Sequence, residues 1–218
     1  MRLPPISENS EKLLVLGSYH QAMLETDERL EVLSSVFSSH QKRLREAKDQ
    51  FQNQEELTMR AFAMKNFCDD MLEREATTFE LKVAEQFNKD RASEGYLALF
   101  PKGLDGITRV SLAKMMEAVK LLEASLEQSG LPEEILSFGE SLRLKRMKAH
   151  EAVTAYRSAL RAESEARMEL RLIKEEWLRL YSINYDKILT LYNKDRARVF
   201  FRKQYRKILV TEDDLELD

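Results

Sequence analysis

The feature that most constrains this chain is the near absence of helix breakers over two long stretches. Residues 8–94 contain no proline and a single glycine, Gly17, and residues 140–210 contain neither. Proline and glycine interrupt helices most strongly, so these stretches predict helices far longer than the roughly 11-residue average of globular proteins. A helix of about 70 residues would extend for about 105 Å. The sequence therefore predicts a rod-like helical protein and gives little direct indication of function.

Apolar residues in both stretches follow the spacing of a coiled-coil seam. In the first stretch, a strict heptad is formed by Leu30, Phe37, Leu44 and Phe51. The apolar pattern then changes phase and continues as Leu57, Ala61, Met64, Cys68 and Met71, which we interpret as a stutter. In the second stretch, the heptad spacing includes Tyr156, Trp177, Tyr181 and Ile188. We expect Trp177 to be a core anchor.

Capping and breaker residues predict where the helices begin and end. Ser7 is the expected N-cap of the first long helix and Gly95 its expected end, with one helix or two split at Gly17 left open. The aromatic segment 96–100 is expected to pack onto the protein. A short helix is predicted over about 108–128. Pro132 is then expected to start the run into the last long helix.

The predicted fold class is all-α: an elongated antiparallel coiled-coil or helical bundle with two very long helices and one or two short ones. We divide the chain into a flexible lead-in (1–7), one elongated helical domain (8–210) and an acidic disordered tail (211–218). The pentapeptide that begins at Asn88 recurs from Asn193, so an internal duplication with repeats 8–100 and 108–210 is a further hypothesis.

Composition narrows the class of protein further. The charged fraction is 33%, the hydrophobic fraction is 43% and the net charge is −3, a balance typical of long-helix proteins. No transmembrane run or signal peptide is evident. The single cysteine, Cys68, excludes an internal disulfide and is typical of a reducing compartment. We therefore expect a cytoplasmic protein, with peripheral attachment to a membrane as an alternative.

No constellation of residues predicts catalysis or a cofactor. The three histidines, His20, His40 and His150, do not form a metal-binding helix motif, and no glycine-rich phosphate loop or nucleophile elbow is present. Adjacent carboxylates on a charge-rich helix are ordinarily a solvated face. We therefore predict no enzyme activity, no catalytic, cofactor or metal site, and no small-molecule substrate.

The strongest local signal is a basic segment, residues 194–207, that carries seven Lys or Arg side chains and one acid, Asp195. Three consecutive apolar residues, Val199, Phe200 and Phe201, cover more of a helix than one seam needs, so we expect some aromatic surface to face a second partner. The candidate residues for binding a partner or an anionic surface are Lys194, Arg196, Arg198, Phe200, Phe201, Arg202, Lys203, Arg206 and Lys207.

Several kinds of partner could bind this basic segment and neutralise its charge. A basic amphipathic helix is typical of membrane-surface binding, and the same charge could hold nucleic-acid phosphates, which we rank lower. Acids elsewhere in the chain, including its own tail (residues 212–218), could also neutralise it, and so could a protein partner. If the long helices pair with their midpoints level, the basic cluster 42–48 comes near this segment, and both ends of the rod become basic.

The most favoured function is a non-enzymatic scaffold or adaptor that acts through protein–protein interaction, as a homodimer or with a helical partner. The alternatives are a peripheral membrane-binding module that docks on anionic lipid through basic helix ends, and a nucleic-acid-associated helical protein. In length and long-helix layout the chain is similar to crescent-forming membrane-curvature modules such as BAR domains. This is a likeness of layout that no sequence motif carries, and it implies only the membrane alternative.

Overall fold

The computed structural model describes residues 3–127 and 130–201, and all regular structure within these ranges is helical. The expected all-α class with two very long helices is confirmed, although the short helices are more numerous than one or two. The elements in chain order are α1 (Ser10–Leu24), a 3₁₀ turn (Glu28–Leu30), α2 (Glu31–Gln86), α3 (Glu94–Leu99), α4 (Asp105–Thr108), α5 (Leu112–Leu126), α6 (Glu133–Leu191) and α7 (Lys194–Val199).

The first breaker-free stretch is interrupted after Leu24, and Gly17 lies inside α1. Local side-chain hydrogen bonds compete with the helix at the interruption. The Thr26 hydroxyl donates to the Met23 carbonyl at 2.7 Å, and the Asp27 side chain accepts from the Arg29 amide, which caps the 3₁₀ turn. The predicted N-cap is corrected too, because Asn9 rather than Ser7 caps α1 by accepting from the Glu11 amide.

The long helices also end earlier than predicted. α2 stops at Gln86 instead of reaching Gly95, because Asn88 and Lys89 have positive φ angles, a left-handed conformation that terminates helices. α6 begins directly after Pro132, as predicted, and spans 59 residues. It ends at Leu191 rather than continuing to 210, because Asn193 caps a separate helix, α7.

The chain forms two compact units, and each long helix contributes one segment to each of them. The first unit comprises Met1–Gln54 and Ser164–Asp218, and the second unit comprises Glu55–Glu163. Within each unit the segments of α2 and α6 run antiparallel. In the first unit Phe37 packs against Trp177 and Tyr181, and in the second unit the Phe62 and Tyr156 rings lie 5.3 Å apart.

The pairing register in the first unit decides which residues the basic cluster 42–48 faces. Arg43 of α2 forms an ion pair with Glu176 of α6 at 2.9 Å, and Lys48 pairs with Glu11 of α1 at 3.2 Å. The basic cluster 42–48 therefore faces acidic residues of α6 and α1. Residues 194–201 take no part in these ion pairs, and residues 202–207 of the basic segment lie outside the described part of the chain.

Trp177 is the centre of the first unit's core, as the seam position predicts. Its side chain is fully buried, stacks on Tyr181 at 4.9 Å, and donates from Nε1 to Gln41 Oε1 at 2.8 Å. Gln41 in turn donates to the Leu14 carbonyl of α1 at 2.6 Å. Gly17 allows this close approach, because a Cβ atom there would collide with the Gln41 side chain.

Several buried positions in the long helices have a second buried position 105 residues later, and this is the offset that relates Asn88 to Asn193. α1 and α5 match each other at a different offset, 102, with Leu13, Gly17, His20 and Leu24 corresponding to Met115, Val119, Leu122 and Leu126, all of them buried. The duplication stays a prediction that this recurrence supports. The matching buried pairs in the long helices are Leu30 and Ile135, Phe37 and Leu142, Leu44 and Ala149, Leu72 and Trp177, Ala76 and Tyr181, and Val83 and Ile188.

In the second unit, the aromatic segment predicted to pack onto the protein does so as part of α3. Tyr96 and Phe100 are buried, and the Tyr96 hydroxyl donates to Glu80 Oε1 at 2.6 Å. Arg91 Nε donates to the same oxygen at 2.8 Å, and this bond holds the pKa of the Glu80 carboxyl below its ordinary value. Burial raises the pKa of Tyr96 to about 12.

Candidate functional site

The described part of the basic segment lies on α7, where Lys194, Arg196 and Arg198 are exposed. Two of these cations already have partners within the first unit. The Arg196 guanidinium lies 5.0 Å from the centre of the Tyr192 ring, and Arg198 pairs with Asp195 at 3.4 Å. The other four cationic candidates, Arg202, Lys203, Arg206 and Lys207, lie outside the described residues.

Phe200 and Phe201 correct the expected role of the aromatic candidates. They are only 4% and 6% exposed, so they do not supply an aromatic surface for a second partner. Phe201 stacks on the His20 ring at 4.4 Å and meets Tyr181 edge-on at 4.9 Å. The apolar pair belongs to the core of the first unit, because α7 packs back onto α1 instead of continuing α6.

His20 holds α7 in this position through a buried hydrogen bond. Its Nδ1 lies 2.9 Å from the Phe200 carbonyl oxygen, which can only accept, so Nδ1 carries the proton. Nε2 then accepts from the Asn184 side-chain amide at 3.1 Å. Burial lowers the pKa of His20 to about 4, which keeps the ring neutral near pH 7.

A second candidate site, which the sequence did not indicate, is an open groove in the second unit. It lies between the beginning of α5, the middle of α6 and the start of the α2 segment, with a volume of about 880 Å³. We call its apolar lining residues the floor and its charged or titratable lining residues the rim. The apolar residues are Leu112, Ala113, Met116, Val153, Tyr156 and Leu160, and the charged or titratable residues are Lys65, Asp69, Glu117, Lys120, Arg146, His150 and Arg157.

Cations outnumber acids around this groove, and three of the four cations make no ion pair among the described residues. Arg146 is engaged by Glu123 through two hydrogen bonds of 2.7 and 2.8 Å, which raise its pKa. Lys65 donates to the Asn66 side chain at 2.9 Å. Lys120 and Arg157 are exposed and make no ion pair within the part of the chain that the structure describes.

At the corresponding place in the first unit, an ion pair joins two helices. Glu11 of α1 and Lys48 of α2 bridge the two helices there at 3.2 Å. By the offsets that align the buried positions, Glu11 corresponds to Ala113 and Lys48 to Val153, and both of these line the open groove. The groove is therefore open where the two halves of the chain differ. The pentapeptide alignment relates Lys48 to Val153, but the match of Glu11 with Ala113 needs the separate offset of α1 and α5, which the structure revealed.

The fold defines a class, the all-α helical bundle proteins. Comparisons of the chain with protein-family models, with curated proteins and with solved structures gave no match. In residues 3–127 and 130–201, no three His, Cys, Asp or Glu side chains are grouped so that they could hold a metal ion. Over the same residues no helix combines the length and the apolar character that crossing a membrane requires.

Proposed function

We propose that this protein is a non-enzymatic helical scaffold or adaptor that binds partner proteins, and that the second-unit groove is its binding site. The observation that carries the proposal is the groove itself: an apolar floor between three helices with uncompensated cations at its rim. A long groove between helices is a common receptor for an amphipathic helix, whose apolar face lies along the floor. Enzyme activity forms no part of this proposal.

The charges at the rim specify the chemistry of the partner segment. Lys120 and Arg157 lie on opposite helices of the groove, α5 and α6, and face solvent. An acidic polar face on the bound helix would complement both. The first turn of α5 adds to this preference, because Ser111 makes no side-chain capping bond there and the start of a helix favours negative charge. The preferred partner is therefore an acidic amphipathic helix.

This proposal is tested with three synthetic helical peptides that share one apolar face and carry Glu, Gln or Lys on the polar face. We expect the Glu peptide to bind the full-length protein about tenfold or more tightly than the Lys peptide, as measured by fluorescence anisotropy. Its affinity should fall as salt is raised, because exposed charges are screened. Equal affinity for the Glu and Lys peptides would contradict the proposal.

A double variant tests the groove by introducing an ion pair of the kind that the first unit already contains. Ala113→Glu combined with Val153→Lys recreates the pair that Glu11 and Lys48 form in the first unit. We expect this double variant to lose binding of the Glu peptide while keeping its helical circular dichroism. The control, Met147→Lys, adds a cation at an exposed position outside the groove and should bind as the wild type does.

Binding of anionic membranes remains a second candidate because α7 presents three exposed cations beside an exposed Val199. We expect salt-sensitive co-sedimentation with anionic but not neutral vesicles, reduced by Lys194→Glu combined with Arg198→Glu. Replacing Phe200 and Phe201 by serine would not test this function, because these side chains are in the core. Unchanged sedimentation of the charge-reversed variant would dismiss the membrane function.

A further inference from the structure

A stripe of apolar side chains on α2 in the second unit is exposed between two ion pairs. Met64 is 56% exposed and Phe67 is 59% exposed, and Leu57 continues the stripe. With Arg60, Met71 and Arg74 these residues fall within about 100° of the helix circumference, which is the width of a packing face. The face is separate from the one that packs against α6, where Thr58 donates to the Ala159 carbonyl. None of these stripe residues lines the groove.

The charges that flank this stripe alternate along the helix. Glu56 lies 4.0 Å from Arg60, and Asp70 lies 3.0 Å from Arg74, so the row is ordered acid, base, acid, base. Both pairs are well exposed and available to a partner. An antiparallel copy of the same helix presents this row in the order base, acid, base, acid. The row is therefore complementary to itself when the second helix runs in the opposite direction.

We infer that this face binds the same face of a second copy of the chain, antiparallel, with the two-fold axis beside Lys65. In this register Glu56 meets Arg74 of the second copy, and Arg60 meets Asp70 of the second copy. Each contact occurs twice, as a two-fold interface requires. Met64 and Phe67 lie at the centre, where the exposed apolar surface is removed from water. A parallel dimer would instead place Arg60 beside Arg60 of the second copy.

The charge pattern allows a test in which one substitution should weaken the dimer and a second should restore it. Sedimentation equilibrium of the full chain should show a dimer, and Arg60→Glu should weaken it about tenfold or more, since two symmetric contacts become repulsive at once. Combining Arg60→Glu with Asp70→Arg restores opposite charges across the interface and should restore the dimer. A monomeric wild type, or a dimer that Arg60→Glu leaves unchanged, would overturn the inference.

Disulfide trapping tests the register independently of charge. The test uses Met64→Cys in a Cys68→Ser background. In the proposed register, the two introduced cysteines lie one residue on either side of the two-fold axis, which is an offset of about 3 Å along the helices. We therefore expect an intermolecular disulfide on mild oxidation. Met59→Cys is the matched control, since Met59 is on the same helix, is 65% exposed and lies on another face. Equal cross-linking at both positions would overturn the register. A monomeric chain that still binds the Glu peptide would refute the dimer and leave the proposed function intact.

Discussion

Replacing Trp177 with alanine is expected to lower the free energy of unfolding by about 3–5 kcal/mol, the usual range for removing a fully buried aromatic side chain. The loss combines a cavity beside Phe37 and Tyr181 with a lost donor, because Gln41 Oε1 accepts the indole hydrogen bond in a buried position. Typical domains are stable by only about 5–15 kcal/mol, so the variant should unfold at much lower urea concentration.

The measurement is urea unfolding followed by circular dichroism, with Leu172→Ala as the control. Leu172 lies on the same helix and in the same unit but is exposed, so its truncation should change stability by about 0.5 kcal/mol or less. A loss below about 1 kcal/mol for Trp177→Ala would show that the α1, α2 and α6 contacts do not depend on this side chain.

Lowering the pH from 7 to 4 is expected to cost the protein about 3 kcal/mol of stability through His20 alone. Burial lowers the pKa of this imidazole to about 4, whereas an unfolded histidine has a pKa near 6.5. Between these values the unfolded chain binds the proton and the folded chain does not. The contribution of His20 is therefore complete above pH 6.5 and declines by about 1.4 kcal/mol per pH unit until about pH 4.

His20→Gln isolates this effect from the titration of carboxylates. The variant loses the titrating group, while carboxylates such as Glu80 titrate in both proteins, so their contribution cancels in the difference between them. We expect the stability advantage of the wild type over His20→Gln to shrink by about 3 kcal/mol between pH 7 and pH 4. An advantage that stays constant over this range would mean that the His20 ring accepts a proton within the folded core.

Helix content and core anchors could be predicted from local patterns, because both depend on neighbouring residues. Pro132 marked the start of α6, and the heptad position of Trp177 indicated a core residue. The interruption after Leu24 was missed because no proline or glycine marks it. It depends on the hydrogen bonds that Thr26 and Asp27 make to the backbone, which composition does not reveal.

The burial of Phe200 and Phe201 could not be predicted because it depends on a contact distant in sequence. The bond between His20 and the Phe200 carbonyl joins residues 180 positions apart. The sequence indicated correctly that these aromatics exceed the needs of one seam. The additional partner for them is α1 of the same chain, which a reading of local periodicity cannot identify.

The ion pair between Lys48 and Glu11 has a consequence for stoichiometry. In a scaffold built from two matching halves, two equivalent receptor sites per chain would be the simplest outcome. Because this pair occupies the place in the first unit that corresponds to the groove, we expect the proposed function to bind one acidic helix per chain. Two chains joined through α2 would then present two such sites, and a divalent partner would gain avidity that a single chain cannot provide.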